Sequence, residues 1–367
     1  MSRSNQFPKN FQTIVDEIKI DNQFKLIELT NSNKEIHILD VQITFCNLFV
    51  LFGAVKNQSN DETLIVQNLK TREEEIVEWK VIENPMEIKK ILRMQTHMNY
   101  GLLLLIEKRN GRFAIYYIDE ELMKFVELCE IELENVKDFA ISTFQVNGLI
   151  GLLVNQKNEL FKFSILDQNV QNIEKLTIET SATICSLNSG AYHFTILDQD
   201  GSVFCFGNNS YMQCGISHET YDDKIDFPRF IEERPLPLEI LRGDVQIRKT
   251  CCGASHTLLL SQDNCLYVMG SNNENQCGFI GEEKFLPGPV LLESNEEEAL
   301  EERILDACCG PNYSVILVEG MKDETFNHIL VSGKRLGFNK LDKFKKLKTT
   351  NATRIYCSSM GSFIVTC

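Results

Sequence analysis

"CCGASHTLLLSQDNCLYVMGSNNENQCG", residues 251–278, sets two cysteines, a glycine and a histidine within six positions. It then runs through alternating apolar residues to a second glycine and closes on Gln-Cys-Gly. Taken alone, it offers a thiol and an imidazole for metal binding or nucleophilic chemistry. Set against the rest of the chain, it is one unit of a repeat. Residues 188–215, "NSGAYHFTILDQDGSVFCFGNNSYMQCG", place Gly190 on Gly253, His193 on His256, Gly207 on Gly270 and Gly215 on Gly278, each pair 63 positions apart. Gln213-Cys214-Gly215 falls on Gln276-Cys277-Gly278 at the same offset. Identical residues at one fixed spacing mark a repeating supersecondary unit.

A third copy begins at "CCGPNYSVILV", where Cys308-Cys309-Gly310 follows Cys251-Cys252-Gly253 by 57 positions and Tyr313 takes the histidine place. Its second strand comes after an insertion, as "NHILVSGKRLG". The chain closes on "YCSSMGSFIVTC", which fits only the first strand of the unit and has Ser358 where the glycine belongs.

Each unit has the same physical logic. The glycine permits a tight bend or close backbone approach, "HTLLLS" is an apolar strand, "QDN" is a polar turn, and "CLYVMG" returns antiparallel. Such a hairpin cannot bury its own apolar face, so it needs neighbours. Weaker echoes stand near 24–39, 46–69, 100–118 and 148–165, which with 190–207, 253–270 and 310–333 make seven. The expected fold is all-β: a seven-bladed β-propeller of four-stranded antiparallel blades, closed by pairing of the N- and C-terminal strands. An open solenoid fits less well, because the terminal strand reads as a half-unit awaiting a partner. The expected limits are one domain, 1–367, with degenerate blades over 1–180, repeats at 181–245, 246–303 and 304–354, and a closing strand at 355–367.

Composition bounds the function. The chain has 43% apolar and 24% charged residues, enough to bury a sizeable core. Its net charge of −15 repels nucleic acid and anionic lipid, so neither is an expected partner of the molecule as a whole. The start, "MSRSNQFPKNFQTIVDE", shows no apolar leader, and apolar runs such as Tyr100–Ile106 are far too short to span a membrane. A reducing cytoplasmic or nuclear compartment is expected, with most of the 13 cysteines as thiols.

The units at 188–215, 251–278 and 308–337 resemble the repeat of the regulator of chromosome condensation (RCC1-like) family, a seven-bladed propeller class. The family pattern of cysteine-glycine-x-x-histidine-threonine, Asp-Gly turn, aromatic strand and Gln-Leu-Gly is met by Cys252-Gly253, His256-Thr257, Asp200-Gly201, Phe206-Gly207 with Asn209, and Gln213-x-Gly215. The chain departs from it at the family tryptophan, here Phe206 or Met269, and at the leucine, here Cys214 or Cys277. The first half lacks the motif, and a WD-type repeat stays open there, although the sole tryptophan, Trp79, lies in "VEWKV".

The repeat accounts for the cysteines as small apolar residues. Neighbours such as Cys251-Cys252 point to opposite faces of a strand, which suits chelation poorly, and no metal or other cofactor is expected. His193 and His256 recur once per unit, as a tethering hydrogen bond would and a catalytic pair would not. No phosphate loop, nucleophile elbow or His-Glu-x-x-His stands out, so the chain is not expected to be an enzyme. The structural positions are then Gly190, His193, Gly207, Gly215, Gly253, His256, Gly270, Gly278 and Gly310.

Interaction signals lie between units. The insertion 216–246 carries Tyr221, Phe227 and Phe230 among charges, as a rim loop with aromatic anchors would, and it also has room for the outer two strands of its blade. Residues 281–302 hold eight acids against one lysine, a solvated face or a contact for a basic partner. "KRLGFNKLDKFKKLK", 334–348, has seven bases including Lys343, Lys345 and Lys346, and is the one stretch suited to phosphate, RNA or an acidic protein.

The resemblance implies two function classes. One is a non-catalytic adaptor for protein partners: compact family members serve diphthamide and transfer-RNA modification or accompany a chromatin-associated oxygenase. The other is guanine-nucleotide exchange on a small Ran-like GTPase, in which a propeller face wedges against the phosphate and magnesium site. The founding member holds chromatin through a basic tail; neither end of this sequence carries one, and its acidity favours the adaptor.

Overall fold

The strand His256–Ser261 is buried at every position, as are His193–Asp198 and Tyr313–Val318. A strand enclosed on both faces needs no polar alternation, which is why these segments read as continuous apolar runs. Neighbouring side chains serve different cores. Leu259 packs with Phe194, Phe206 and Met269 on one side, while Leu258 and Leu260 pack with Val268, Ile316 and Phe344 on the other. Each hairpin thus sits between two neighbours, and the fold that results is a seven-bladed β-propeller.

The computed structural model describes residues 18–20, 36–43, 47–54, 62–68, 79–97, 100–145, 148–166, 169–216, 230–238, 245–279, 283–292, 303–320, 327–334, 340–350, 354–357 and 363–366. Six four-stranded antiparallel sheets follow in chain order. The first has β2 (Ile36–Ile43), β3 (Asn47–Ala54), β4 (Glu62–Asn68) and β5 (Trp79–Ile82), and the second β6 (Ile88–His97), β7 (Gly101–Lys108), β8 (Phe113–Asp119) and β9 (Lys124–Ile131). The third has β10 (Val136–Gln145), β11 (Gly148–Asn155), β12 (Leu160–Leu166) and β13 (Asn169–Leu176). The fourth has β14 (Ile184–Ser189), β15 (His193–Asp198), β16 (Val203–Asn208) and β17 (Phe230–Pro237). The fifth has β18 (Ile247–Cys252), β19 (His256–Ser261), β20 (Leu266–Ser271) and β21 (Phe285–Leu291). The sixth has β22 (Ile304–Cys309), β23 (Tyr313–Val318), β24 (Asn327–Gly333) and β25 (Leu341–Thr350).

The seventh sheet joins the two ends of the chain. β26 (Arg354–Cys357) and β27 (Phe363–Thr366) form an antiparallel hairpin, and β1 (Ile18–Ile20) pairs parallel to β27 with Ile18 opposite Ile364. The first strands of successive sheets lie side by side, from β2 through β6, β10, β14, β18 and β22 to β26, and β26 also lies beside β2. No helix among the described residues is long and apolar enough to cross a membrane.

Three expectations need correction. The terminal segment is two strands, β26 and β27, so 355–367 is a hairpin and not a single closing strand. The segment 24–39 does not supply a hairpin of its own. Residues 21–35 lie outside the described residues, and Ile36 opens β2, the innermost strand of the first blade. The seventh hairpin is the C-terminal one. The insertion 216–246 contributes one described outer strand, β17, because the innermost strand of each blade comes from residues just before the repeat glycine, such as "IRKTCC".

Candidate functional site

The repeat residues meet at the seams between blades. His193 opens β15, and its Nε2 lies 2.7 Å from Thr257 Oγ1 of the next blade. The Thr257 hydroxyl donates to the carbonyl of Gln213 at 2.8 Å, so its oxygen accepts the proton on His193 Nε2. One blade on, His256 Nε2 lies 3.1 Å from Ser314 Oγ, and Ser314 donates to the carbonyl of Gln276. The bonding fixes both imidazoles as Nε2–H tautomers and leaves each Nδ1 buried without a partner. Burial lowers the pKa of both histidines to about 3, so they are neutral at physiological pH.

The glycine before each histidine makes room for the ring. A Cβ on Gly253 would stand 2.0 Å from His256 Cε1 and 2.8 Å from the Gly310 carbonyl oxygen. Gly190 is crowded in the same way by His193 and by Gly253 O, and Gly310 by the buried ring of Tyr313. Gly207 and Gly270 stand opposite His193 and His256 in the hairpin register. The Gln-Cys-Gly segments ending at Gly215 and Gly278 fold over asparagine side chains: Cys214 N donates to Asn209 Oδ1 and Cys277 N to Asn272 Oδ1. Cys214 and Cys277 are fully buried in the leucine place.

A second set of ties escaped the repeat comparison. The innermost strands carry a register shift, and in β10 and β22 an aspartate follows it. Asp138 accepts from Arg93 of the preceding blade, from its neighbour Phe139 N, and from Leu187 N of the following blade. Asp306 repeats the arrangement with Lys249, Ala307 N and Ile355 N. Each carboxylate therefore joins three consecutive innermost strands. The sequence signal was a charged residue two places after an apolar one at each strand start, in "VKDFA", "IRKTCC" and "ILDACC".

These strands surround a cavity of about 630 Å³. Its wall includes Arg93, Arg248, Lys249, Arg354 and Asp306, and also Cys251, Cys252, Cys308, Cys309 and Cys357. The sequence pattern did not foresee five cysteines around one cavity. Burial pushes the Cys251 thiol up to about 12 and raises Cys252 as well. Cys251 Sγ donates to Ala307 O at 3.0 Å, and Cys252 Sγ lies 3.4 Å from Thr195 Oγ1. Among the described residues, no group of three or more His, Cys, Asp or Glu is arranged to hold a metal ion.

The surface nominations are scattered. Tyr221 and Phe227, and the acidic run from 293 to 302, lie outside the described residues. Phe230 opens β17 opposite Asn208. Lys345 and Lys346 are exposed on β25, the outer edge of the sixth blade, where Lys343 is half-buried and Lys346 Nζ lies 3.0 Å from His328 Nε2. Three exposed aromatics were not singled out by the sequence: Tyr192, and Tyr211 with Phe285, whose rings stand 5.6 Å apart.

The seam geometry is that of a repeat family, and the family model described as regulator of chromosome condensation (RCC1) repeat matches residues 200–260 and 263–317. A second model of the same description matches 184–213 and 247–276. Residues 184–317 thus carry RCC1-type repeats, and over that stretch the chain resembles the RCC1-like repeat family. Among curated relatives of this RCC1-like chain, "Protein RCC2 homolog" of Xenopus laevis is 27% identical over 154 residues, which cover 41% of this chain and 27% of that protein. The "RCC1-like G exchanging factor-like protein" of Mus musculus is 25% identical over 136 residues, covering 35% of this chain and 29% of that one. The matched stretch spans less than a third of either relative. In fold, the RCC1-like propeller is similar to Prp20p of Saccharomyces cerevisiae, with a TM-score of 0.59, 16% identity, and 89% of this chain against 81% of that one covered. That structure is described together with the binding properties of Prp20p to Gsp1p and histones. Human WBSCR16 is similar at a TM-score of 0.53 and 13% identity, covering 76% of this chain and 74% of that one.

Proposed function

We propose that this propeller is a non-catalytic adaptor that docks protein partners on its faces and rim. The observation that carries the reading is the use made of the repeat histidines. His193 and His256 are spent on Thr257 and Ser314 across the blade seams, so the most chemistry-laden motif of the sequence builds a rigid platform. Tyr221 and Phe227 between β16 and β17, Phe230 at the start of β17, and Lys343, Lys345 and Lys346 on β25, are the proposed partner contacts. The working compartment is cytoplasmic or nuclear, within a larger complex of the kind that modifies transfer RNA or diphthamide or that holds a chromatin-associated oxygenase.

Affinity purification of the full chain with mass spectrometry tests this reading. A reproducible partner set that depends on the nominated residues supports it. Recovery of no stoichiometric partner would end it, and partners indifferent to alanine at Tyr221, Phe227 and Phe230 would dismiss that loop.

Guanine-nucleotide exchange is the second reading, favoured by the name of the mouse relative, an RCC1-like G exchanging factor-like protein, and by the Gsp1p binding of Prp20p. Release of labelled GDP from a panel of purified small GTPases separates the two. Rapid catalysed release from any one of them would replace the adaptor reading.

A further inference from the structure

The cavity at the ring of innermost strands carries an unbalanced charge. Of the four cations among its described lining residues, two are neutralised, Arg93 by Asp138 and Lys249 by Asp306. The other two are not. Arg248 is held by the carbonyls of Ser261, Ile304 and Leu305 and by Asn264 Oδ1, all uncharged acceptors. The guanidinium of Arg354, exposed at the start of β26, makes no hydrogen bond or ion pair with the side chains of the described residues. Among the described residues that line the cavity, cations outnumber acids, in a chain whose net charge is −15.

Arg248 and Arg354 lie at the N-terminal ends of β18 and β26, with the start of β22 between them. In an antiparallel blade this is the end that carries the turn between the second and third strands, such as Asp263-Asn264. The Gly253 and Gly310 bends lie at the opposite end. The two guanidiniums therefore share one mouth of the cavity. A guanidinium already positioned by neutral oxygens keeps its full charge and loses little side-chain entropy when an anion arrives.

We propose that this mouth binds a short acidic peptide segment of a protein partner, whose aspartate or glutamate carboxylates pair with Arg354 and Arg248. The cavity has the size of a site for a few side chains. Strand-like binding of nucleic acid needs an extended basic groove with stacking aromatics. Here the free charge is confined to one cavity, and the chain as a whole, at −15, repels a polyphosphate. The proposal rests on the adaptor reading and names the chemistry of one partner contact. The chain's own carboxylates Glu296, Glu297 and Glu298 precede β22 in sequence and are the natural competitor for the same cations.

Fluorescence anisotropy with a labelled Gly-Glu-Ser-Glu-Glu-Gly peptide tests it on the full chain. The comparison probes are the same peptide with glutamine for glutamate, and an oligothymidylate. Every titration is repeated with glutamine replacing Glu296, Glu297 and Glu298, so that an intramolecular competitor is removed. The expected result is salt-sensitive binding of the glutamate peptide, tighter than the glutamine peptide. Binding should weaken about 10-fold or more in Arg354→Glu, an exposed position whose change leaves the melt intact, and should be unmoved by Lys345→Glu. Equal binding of the two peptides in the triple background, indifference to Arg354→Glu, or preference for the oligothymidylate overturns it. Partners still recovered by the full chain after such a failure would show that only this site, and not the adaptor reading, had fallen.

Discussion

Arg93 Nη1 donates to both carboxylate oxygens of Asp138, each at 2.6 Å, and thereby joins the innermost strands of two successive blades. Lys249 and Asp306 stand in the same relation farther along the chain, at 2.5 Å. In both cases the aspartate also accepts a backbone N–H from the blade that follows, Leu187 or Ile355. The ring is thus stitched by carboxylates at its inner wall and by imidazoles nearer the blade hairpins.

Replacing Asp306 with alanine should remove this junction at the seam beside the C-terminal hairpin. It strands the Lys249 ammonium and leaves the N–H groups of Ala307 and Ile355 without their acceptor. The expected loss is about 2–4 kcal/mol in urea unfolding. A double-mutant cycle with Lys249→Met should show coupling of about 0.5–3 kcal/mol. Additive effects would mean that the pair is not a joint.

Acid should loosen the blade seams. The imidazoles of His193 and His256 have a folded pKa of about 3 against an ordinary 6.5, so the unfolded chain takes up their protons first as pH falls. Their neutral-form advantage is complete above pH 6.5. It is lost between 6.5 and 3, at about 1.4 kcal/mol per pH unit for each histidine. Stability measured from pH 7.5 to 4.5 should fall accordingly, and His256→Asn should flatten the slope. An unchanged slope in that variant would refute the assignment.

Gly253→Ala should be costly and Gly111→Ala cheap, although each glycine sits in the bend of a hairpin. The new methyl at 253 meets His256 Cε1 at 2.0 Å, whereas at Gly111 nothing lies within 4 Å and only the positive φ of +83° is strained. Expected losses are about 3 kcal/mol or more against about 1 kcal/mol. Equal values by urea titration would show that the imidazole does not need the space.

Alkylation should discriminate among the cysteines. Cys185 is exposed, whereas burial holds Cys251 at about 12 and also pushes Cys277 up. Iodoacetamide at pH 8 should label Cys185 first and leave Cys251 and Cys277 until unfolding, because the thiolate is the nucleophile. Early labelling of Cys251, read by peptide mass spectrometry, would mean an activated thiol in the cavity wall.

Deleting the last 12 residues removes β27 and half of β26, and with them the partner of β1. The cooperative thermal transition should be lost. An unchanged melt would show that the terminal hairpin does not complete the propeller.

Repetition was legible where successive blades need the same thing. Every seam that buries an imidazole needs a glycine before it and a hydroxyl across from it, so Gly190-His193 and Gly253-His256 recur in register. The carboxylate ties were not legible, because ring neighbours need complementary residues. Ser186, Lys249 and Asp306 occupy one repeat position, at the 63- and 57-residue offsets, and share no chemistry. A comparison that rewards identity passes over them.

The amino-acid sequence on its own determined the all-β class, the blade hairpins of the second half and the structural role of the histidines, since these follow from local periodicity and spacing. Only the tertiary structure decided which strand is innermost, that the terminal segment is a hairpin shared with Ile18–Ile20, and that Arg248 and Arg354 line one cavity. Those are relations between residues far apart in the chain. Ring geometry sets them, and no local pattern encodes it.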